Sequence, residues 1–230
     1  MFIRQIYADS MLAVACAAPL LAGTAFHFGI PRLEKVLEKF TGMPFLIRPY
    51  YLLADLFLCI LTPFMFCFAS SMVILEERDE GVGPYMMVTP VGKKGYILSR
   101  LVIPALLSSC ASAVVLLAFG LSGLSYGTLF ALSLFMPLVS VIMSVLITSI
   151  SSNRVEGMAM AKLSGLILAG LAVPFFVQGP YKYLAGILPT FWIAEYARLP
   201  SILPALAFLA SSALWLAVLY PLFRKKGIGG

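Results

Sequence analysis

The chain has 230 residues, of which 61% are hydrophobic and only 11% charged, with a formal net charge of +6. Ordinary globular domains carry roughly 45–50% apolar and about 25% charged residues, and a soluble fold of this size has too little interior to hide the surplus. The 61% of 230 amounts to about 140 apolar residues, enough for six membrane helices at ~20 residues each. The composition therefore indicates an all-α integral membrane protein with six transmembrane helices in a single domain, 1–230. The basic residues are scattered between apolar runs and form no tract, which excludes nucleic acid as a partner.

The first apolar run, 11–30, is 20 residues long. A cleaved signal core is usually about 7–15, so a retained helix is expected despite the cleavage-like Ala15-Cys16-Ala17. The connection 31–49 carries Leu33, Val36, Leu37 and Phe40 between charges. That spacing predicts a short amphipathic helix at the membrane interface. The second run, 50–75, contains Asp55 near its start. A charged segment follows over 76–100, then a third run at 101–119. The Gly/Ser stretch 120–127 reads as a tight hairpin before the fourth run, 128–150.

A fifth run, 157–177, contains Lys162, whose stem can snorkel to the interface. The stretch 178–200 is too apolar for a free loop and too interrupted by Pro and Gly for a span. Its Tyr181, Tyr183, Phe191, Trp192 and Tyr196 suit an interface. Irregular backbone at membrane depth must be buried in protein or line a cavity, so a re-entrant or interfacial helical element is expected there. The last run is 201–223. Pro19, Pro63, Pro104, Pro137 and Pro174 interrupt spans. Cys16, Cys59, Cys67 and Cys110 lie inside apolar runs without paired or metal-ligand spacing, and read as packing residues.

Orientation follows from Lys and Arg in the connections. With the N-terminus cytoplasmic, the inner set is Arg4, Arg78, Lys93, Lys94, Arg100, Arg154, Lys162, Arg224, Lys225 and Lys226. The outer set is Arg32, Lys35, Lys39, Arg48, Lys182 and Arg198. The balance predicts both termini on the cytoplasmic side, and Arg224-Lys225-Lys226 is its strongest single contributor.

The 76–94 connection has an unusual order. Five charged residues, Glu76-Glu77-Arg78-Asp79-Glu80, precede Gly81, then a short apolar segment around Tyr85, Met86, Met87 and Val88, then Thr89-Pro90 and basic residues. One reading is a solvated helix end with ion pairs. The other is a docking knob, in which apolar side chains fill a socket while flanking charges set the register. Gly81 permits the change of direction, and Pro90 stops a short helix.

Glu77-Arg78-Asp79-Glu80-Gly81 and Val88-Thr89-Pro90 resemble the motif that closes the second span of type-2 ATP-binding cassette (ABC) exporter permeases. Within that group the chain looks most like the small drug-export permeases described for fluoroquinolones. The second inner connection, Asn153-Arg154-Val155-Glu156-Gly157 with Lys162, is similar to the same subgroup. The resemblance implies six helices, a coupling helix after span two and short re-entrant helices between spans five and six. It implies that Glu77, Arg78, Asp79, Glu80 and Gly81 position the coupling element, Tyr85 to Val88 contact an ATPase, and Thr89-Pro90 ends the helix. Arg154, Glu156 and Gly157 would add a second contact. Gly83-Pro84 departs from the pattern, standing where relatives carry helix formers.

The chain lacks the G-x-x-x-x-G-K-[ST] phosphate loop: around Gly92-Lys93, Met87 takes the first glycine position and Lys94 the Ser/Thr position. An exporter built on this chain therefore needs a separate cytosolic ABC ATPase subunit to bind ATP and Mg, with no cofactor or metal held by the permease itself. The resemblance further implies a second permease copy or a related permease, a bacterial plasma membrane location and surrounding lipid. The scarcity of charge within the spans suits an amphiphilic or apolar cargo such as a drug, lipid or peptide.

Catalysis within the chain lacks parts. With one histidine, His27, the H-E-x-x-H motif is impossible, and Gly123-Leu124-Ser125-Tyr126-Gly127 matches G-x-S-x-G in letters alone, since it falls in the Gly/Ser hairpin between two apolar runs and not at the strand-to-helix turn that a nucleophile elbow requires. Glu76-Glu77 is similar to the glutamate pair of prenyl-processing proteases, but Gly81 stands where their arginine belongs. His27 reads as an interfacial side chain. The rival reading is a proton-coupled secondary transporter or channel using Asp55, the only acidic residue in a span core. Asp55 and Glu195 are equally compatible with interfacial hydrogen bonding, and no inverted repeat is evident.

Overall fold

The computed structural model describes residues 10–42, 45–81 and 92–227. All regular structure among them is helical. Helix α1 is Ser10–Thr41, and a 3-10 turn at Arg48–Tyr50 leads into α2, Tyr51–Asp79. The next long helix is composite: α3, Gly92–Ile97, a π-helical turn at Leu98–Val102, and α4, Ile103–Phe119. Helix α5 is Tyr126–Ile150. A 3-10 stretch, Gly165–Leu168, divides the fifth long helix into α6, Arg154–Ser164, and α7, Ala169–Phe176. The 178–200 segment folds as a 3-10 helix, Pro180–Ile187, and α8, Pro189–Arg198. Helix α9 is Ile202–Gly227. Six of these helical stretches are long and apolar enough to cross a membrane.

Helix α2 is the hub. In its most apolar window 72% of residues are buried, against 11% in the first long helix and 22% in the last. An all-round apolar helix belongs in a core, and α2 packs on α5, α4, α1 and α6. Its Leu56, Cys59, Ile60, Met72 and Leu75 share one core with Leu132, Met136, Met143 and Ile147. Small residues let the helices approach closely. Ser112 donates to the Cys59 carbonyl at 3.1 Å, Ser109 to the Ser133 carbonyl at 2.7 Å, and the Ser71 and Ser144 hydroxyls lie 3.2 Å apart. Cys59 and Cys67 are buried in this core and all four cysteines are free thiols.

Two element boundaries differ from the sequence expectation. Helix α1 does not stop near residue 30 but runs through Pro31 to Thr41, so 31–41 is not a separate interfacial helix. A proline inside a helix removes one hydrogen bond and can be absorbed as a bend, so the helix need not end there. The extension is fastened to α2 by a hydrogen bond from the Tyr51 hydroxyl to Glu34. The third long helix likewise begins near Gly92, well before residue 101, and draws Arg100 into the protein.

The 178–200 segment is held by its neighbours. Trp192 Nε1 donates to the Gly186 carbonyl at 2.7 Å and Trp215 Nε1 to the Ile187 carbonyl at 2.8 Å. Thr190 donates at 2.6 Å to the carbonyl of Ile167, inside the 3-10 break of the fifth long helix. The irregular backbone of one element thus supplies the partner for the other.

Candidate functional site

The charged cluster that follows the second apolar run is helical through Asp79, and the chain turns at Gly81 with φ +66°. Glu77 points inward and is only 5% exposed. It meets Arg100, 1% exposed, which sits on the π turn of the next long helix. Arg100 Nε donates to Glu77 Oε2 at 3.2 Å while its Nη2 donates to Oε1, a two-pronged contact. Tyr96, also buried, donates its hydroxyl to Glu77 Oε2 at 3.1 Å. The inserted residue of a π turn disturbs the helical carbonyl ladder, and the Ser70 hydroxyl donates to the carbonyl of Arg100.

Arg78, about 100° further round α2, meets α5 instead. Its Nη1 donates to the carbonyls of Thr148 at 3.2 Å and Ser151 at 2.9 Å. These belong to the end of α5, where orphan carbonyls and the negative dipole end favour a cation. Asp79 accepts the backbone N–H of Arg154 at 3.0 Å, and the Arg154 guanidinium reaches Glu76 at 3.1 Å. Asn153 caps α6 by accepting the Glu156 N–H at 2.8 Å, and Glu156 accepts the Ser152 N–H at 2.7 Å. Gly157 lies flat against Leu75 and Met72.

Two stretches separated by some seventy residues thus meet at one end of the bundle: Glu76 and Asp79 join Arg154, Arg78 holds the Ser151 carbonyl, and Gly157 packs on Met72 and Leu75, while Glu77 is turned to Arg100 and Glu156 bonds within its own turn. Glu80 is exposed at the end of α2. Tyr85, Met86, Met87, Val88, Thr89 and Pro90, with Gly83-Pro84, lie outside the described residues. Sequence reasoning missed Arg100, Tyr96 and Ser70. The available signal was a lone arginine bordering an apolar run at the same depth as an inward-facing glutamate.

Asp55 occupies the opposite end and is 1% exposed. It accepts the N–H of Leu121 at 2.9 and 3.1 Å, that of Ser122 at 2.8 Å, and the Ser122 hydroxyl. The carboxylate therefore holds the turn that follows α4. Glu195 pairs with Lys182 at 2.6 Å, and His27 Nδ1 lies 3.4 Å from the Phe119 carbonyl. An apolar groove of about 550 Å³ runs between α1, α2 and α7, walled by Phe26, Tyr50, Phe57, Leu168 and Leu171. A second, more polar groove of about 650 Å³ is bordered by Arg48, Tyr51, Ser122 and Thr128. Asp55 lines neither.

Six apolar helices, one of them a buried hub, with charged residues gathered at one end, define a multi-pass helical membrane protein. Residues 2–223 match the family described as fluoroquinolones export permease protein Rv2686c-like, and the chain belongs to that family of transport permeases. Among its relatives are the fluoroquinolones export permease proteins Rv2686c and MT2760 from two strains of Mycobacterium tuberculosis, H37Rv and CDC 1551. Each is 25% identical over 196 residues, covering 84% of this chain and 77% of the relative. No solved structure matches the chain.

Proposed function

We propose that this chain is the membrane-spanning subunit of an ABC-type exporter that moves a fluoroquinolone-like amphiphile out of a bacterial cell across the plasma membrane. ATP and Mg bind on a separate cytosolic ATPase subunit, which docks on the 76–94 region. Two permease copies, or this chain with a related one, complete the transporter, and both termini face the cytosol. Closure of the ATPases displaces the docked end, and a rigid-body population shift of the helices alternates access.

The observation that carries this reading is the joining of the two charged connections, Glu76 and Asp79 to Arg154, in a chain of the drug-export permease family. A force applied at that end reaches the hub helix α2 directly. The apolar groove of about 550 Å³ has the size and lining that suit an aromatic amphiphile. Asp55 is committed to the turn after α4, which favours a holding role over proton carriage.

The reading is tested by purifying the tagged chain from its native host in mild detergent. A stoichiometric P-loop ATPase is expected to co-purify, and to be lost when Tyr85, Met86, Met87 and Val88 are changed to Ser. Reproducible recovery of the permease without any ATPase would contradict it.

A further inference from the structure

We infer that Arg100 and Tyr96 are positioning residues for transport: with Glu77 and Ser70 they fasten the start of the third long helix to α2, so that both move as one body. The inference rests on the reading above, in which an ATPase displaces this end of the bundle.

The attachment has two points. Ser70 and Glu77 stand seven residues apart on one face of α2, about 10.5 Å along its axis. Ser70 holds the carbonyl of Arg100, while Glu77 holds its guanidinium and the Tyr96 hydroxyl. One point would allow the helices to swivel. Two points, one through backbone and one through side chains, fix both axial register and rotation. The π turn Leu98–Val102 provides for both contacts by presenting a backbone carbonyl and a side chain of the same residue to α2.

Stability alone is a poor reason for this design. Buried ion pairs pay a desolvation cost that matches much of their attraction, and well-packed apolar residues often replace them without loss. Glu77, Tyr96 and Arg100 line neither of the two grooves described above. What the pair supplies is directional, hydrogen-bonded registry between two helices. Arg78, next along α2, fastens α5 in turn.

The test compares Arg100→Gln, Arg100→Lys, the double variant Glu77→Gln with Arg100→Gln, and Tyr96→Phe. Norfloxacin efflux per ATP hydrolysed is measured on the complex with its co-purified ATPase, together with the thermal midpoint. The double variant leaves no lone buried charge, so it should keep a near wild-type midpoint and keep the ATPase. Its efflux per ATP should fall by about tenfold, within the range of typical coupling energies. Arg100→Lys should retain more efflux per ATP than Arg100→Gln, and Tyr96→Phe should lower the ratio while its midpoint falls only by the worth of one hydrogen bond to a charged group. An unchanged ratio in the double variant would overturn the inference. Should the double variant fail to fold, an unchanged ratio in Tyr96→Phe would overturn it equally. Absence of ATPase from the wild-type sample would overturn the function proposed above and this inference with it, whereas a changed midpoint with unchanged ratio overturns this inference alone.

Discussion

Arg78 donates a hydrogen bond from Nη1 to the backbone carbonyl of Ser151 at 2.9 Å, so the end of α2 caps the end of α5. The same guanidinium nitrogen reaches the Thr148 carbonyl at 3.2 Å. Neighbouring residues of one charged run therefore take divergent tasks. Glu77 faces the third long helix, Arg78 faces α5, and Asp79 holds the first N–H of α6.

Arg78→Ala should lower stability by about 1.5–3 kcal/mol, the ordinary worth of hydrogen bonds to a charged group. Arg78→Lys should recover only part, because an ammonium is more strongly hydrated than a guanidinium and gives up more solvation to enter this half-buried site. Thermal unfolding in detergent measures both, and identical midpoints for wild type and Arg78→Ala would refute the capping role.

Asp55→Asn keeps the shape but leaves one side-chain oxygen where two accepted bonds. The expected result is a loss of about 1–3 kcal/mol, the cost of leaving a buried donor unpaired, with efflux per folded molecule preserved. Loss of efflux at unchanged stability would instead favour an ion-coupled role for this carboxylate.

Two glycines allow close approach and should differ in cost. At Gly157 an added Cβ meets the Leu75 methyl and the end of Met72, flexible groups that can turn away. At Gly170 it meets the Thr190 hydroxyl, the Phe191 backbone nitrogen at 3.1 Å and Leu188 Cβ at 3.2 Å, which cannot. Overpacking typically costs about 1–3 kcal/mol, so Gly170→Ala should lie at or above the top of that range and Gly157→Ala near the bottom. Equal midpoints for the two variants would contradict this packing.

Much of the architecture was legible from hydropathy, because each long helix carries its own unbroken apolar run. The irregular 178–200 element was legible because its aromatics and its Pro and Gly pattern suit neither loop nor span. The continuation of α1 through Pro31 was not. Proline signals a break in water, while the Glu34–Tyr51 contact that steadies the extension joins residues from two helices. At the charged end, Glu77 to Gly81 and Arg154 to Gly157 were legible as motifs. Their union was not, since helix spacing says nothing about which helices touch. Arg100 was hidden for a related reason: charge counting assigns an arginine beside an apolar run to the connection, and only the early start of the third long helix carries it inside.

The most direct test of the account is drug uptake into inside-out proteoliposomes holding the permease with its co-purified ATPase. Norfloxacin accumulation should require ATP and Mg, vanish when the ATPase is stripped away, and persist after a proton ionophore collapses the pH gradient. Accumulation driven by an imposed pH gradient, without ATP or ATPase, would contradict it.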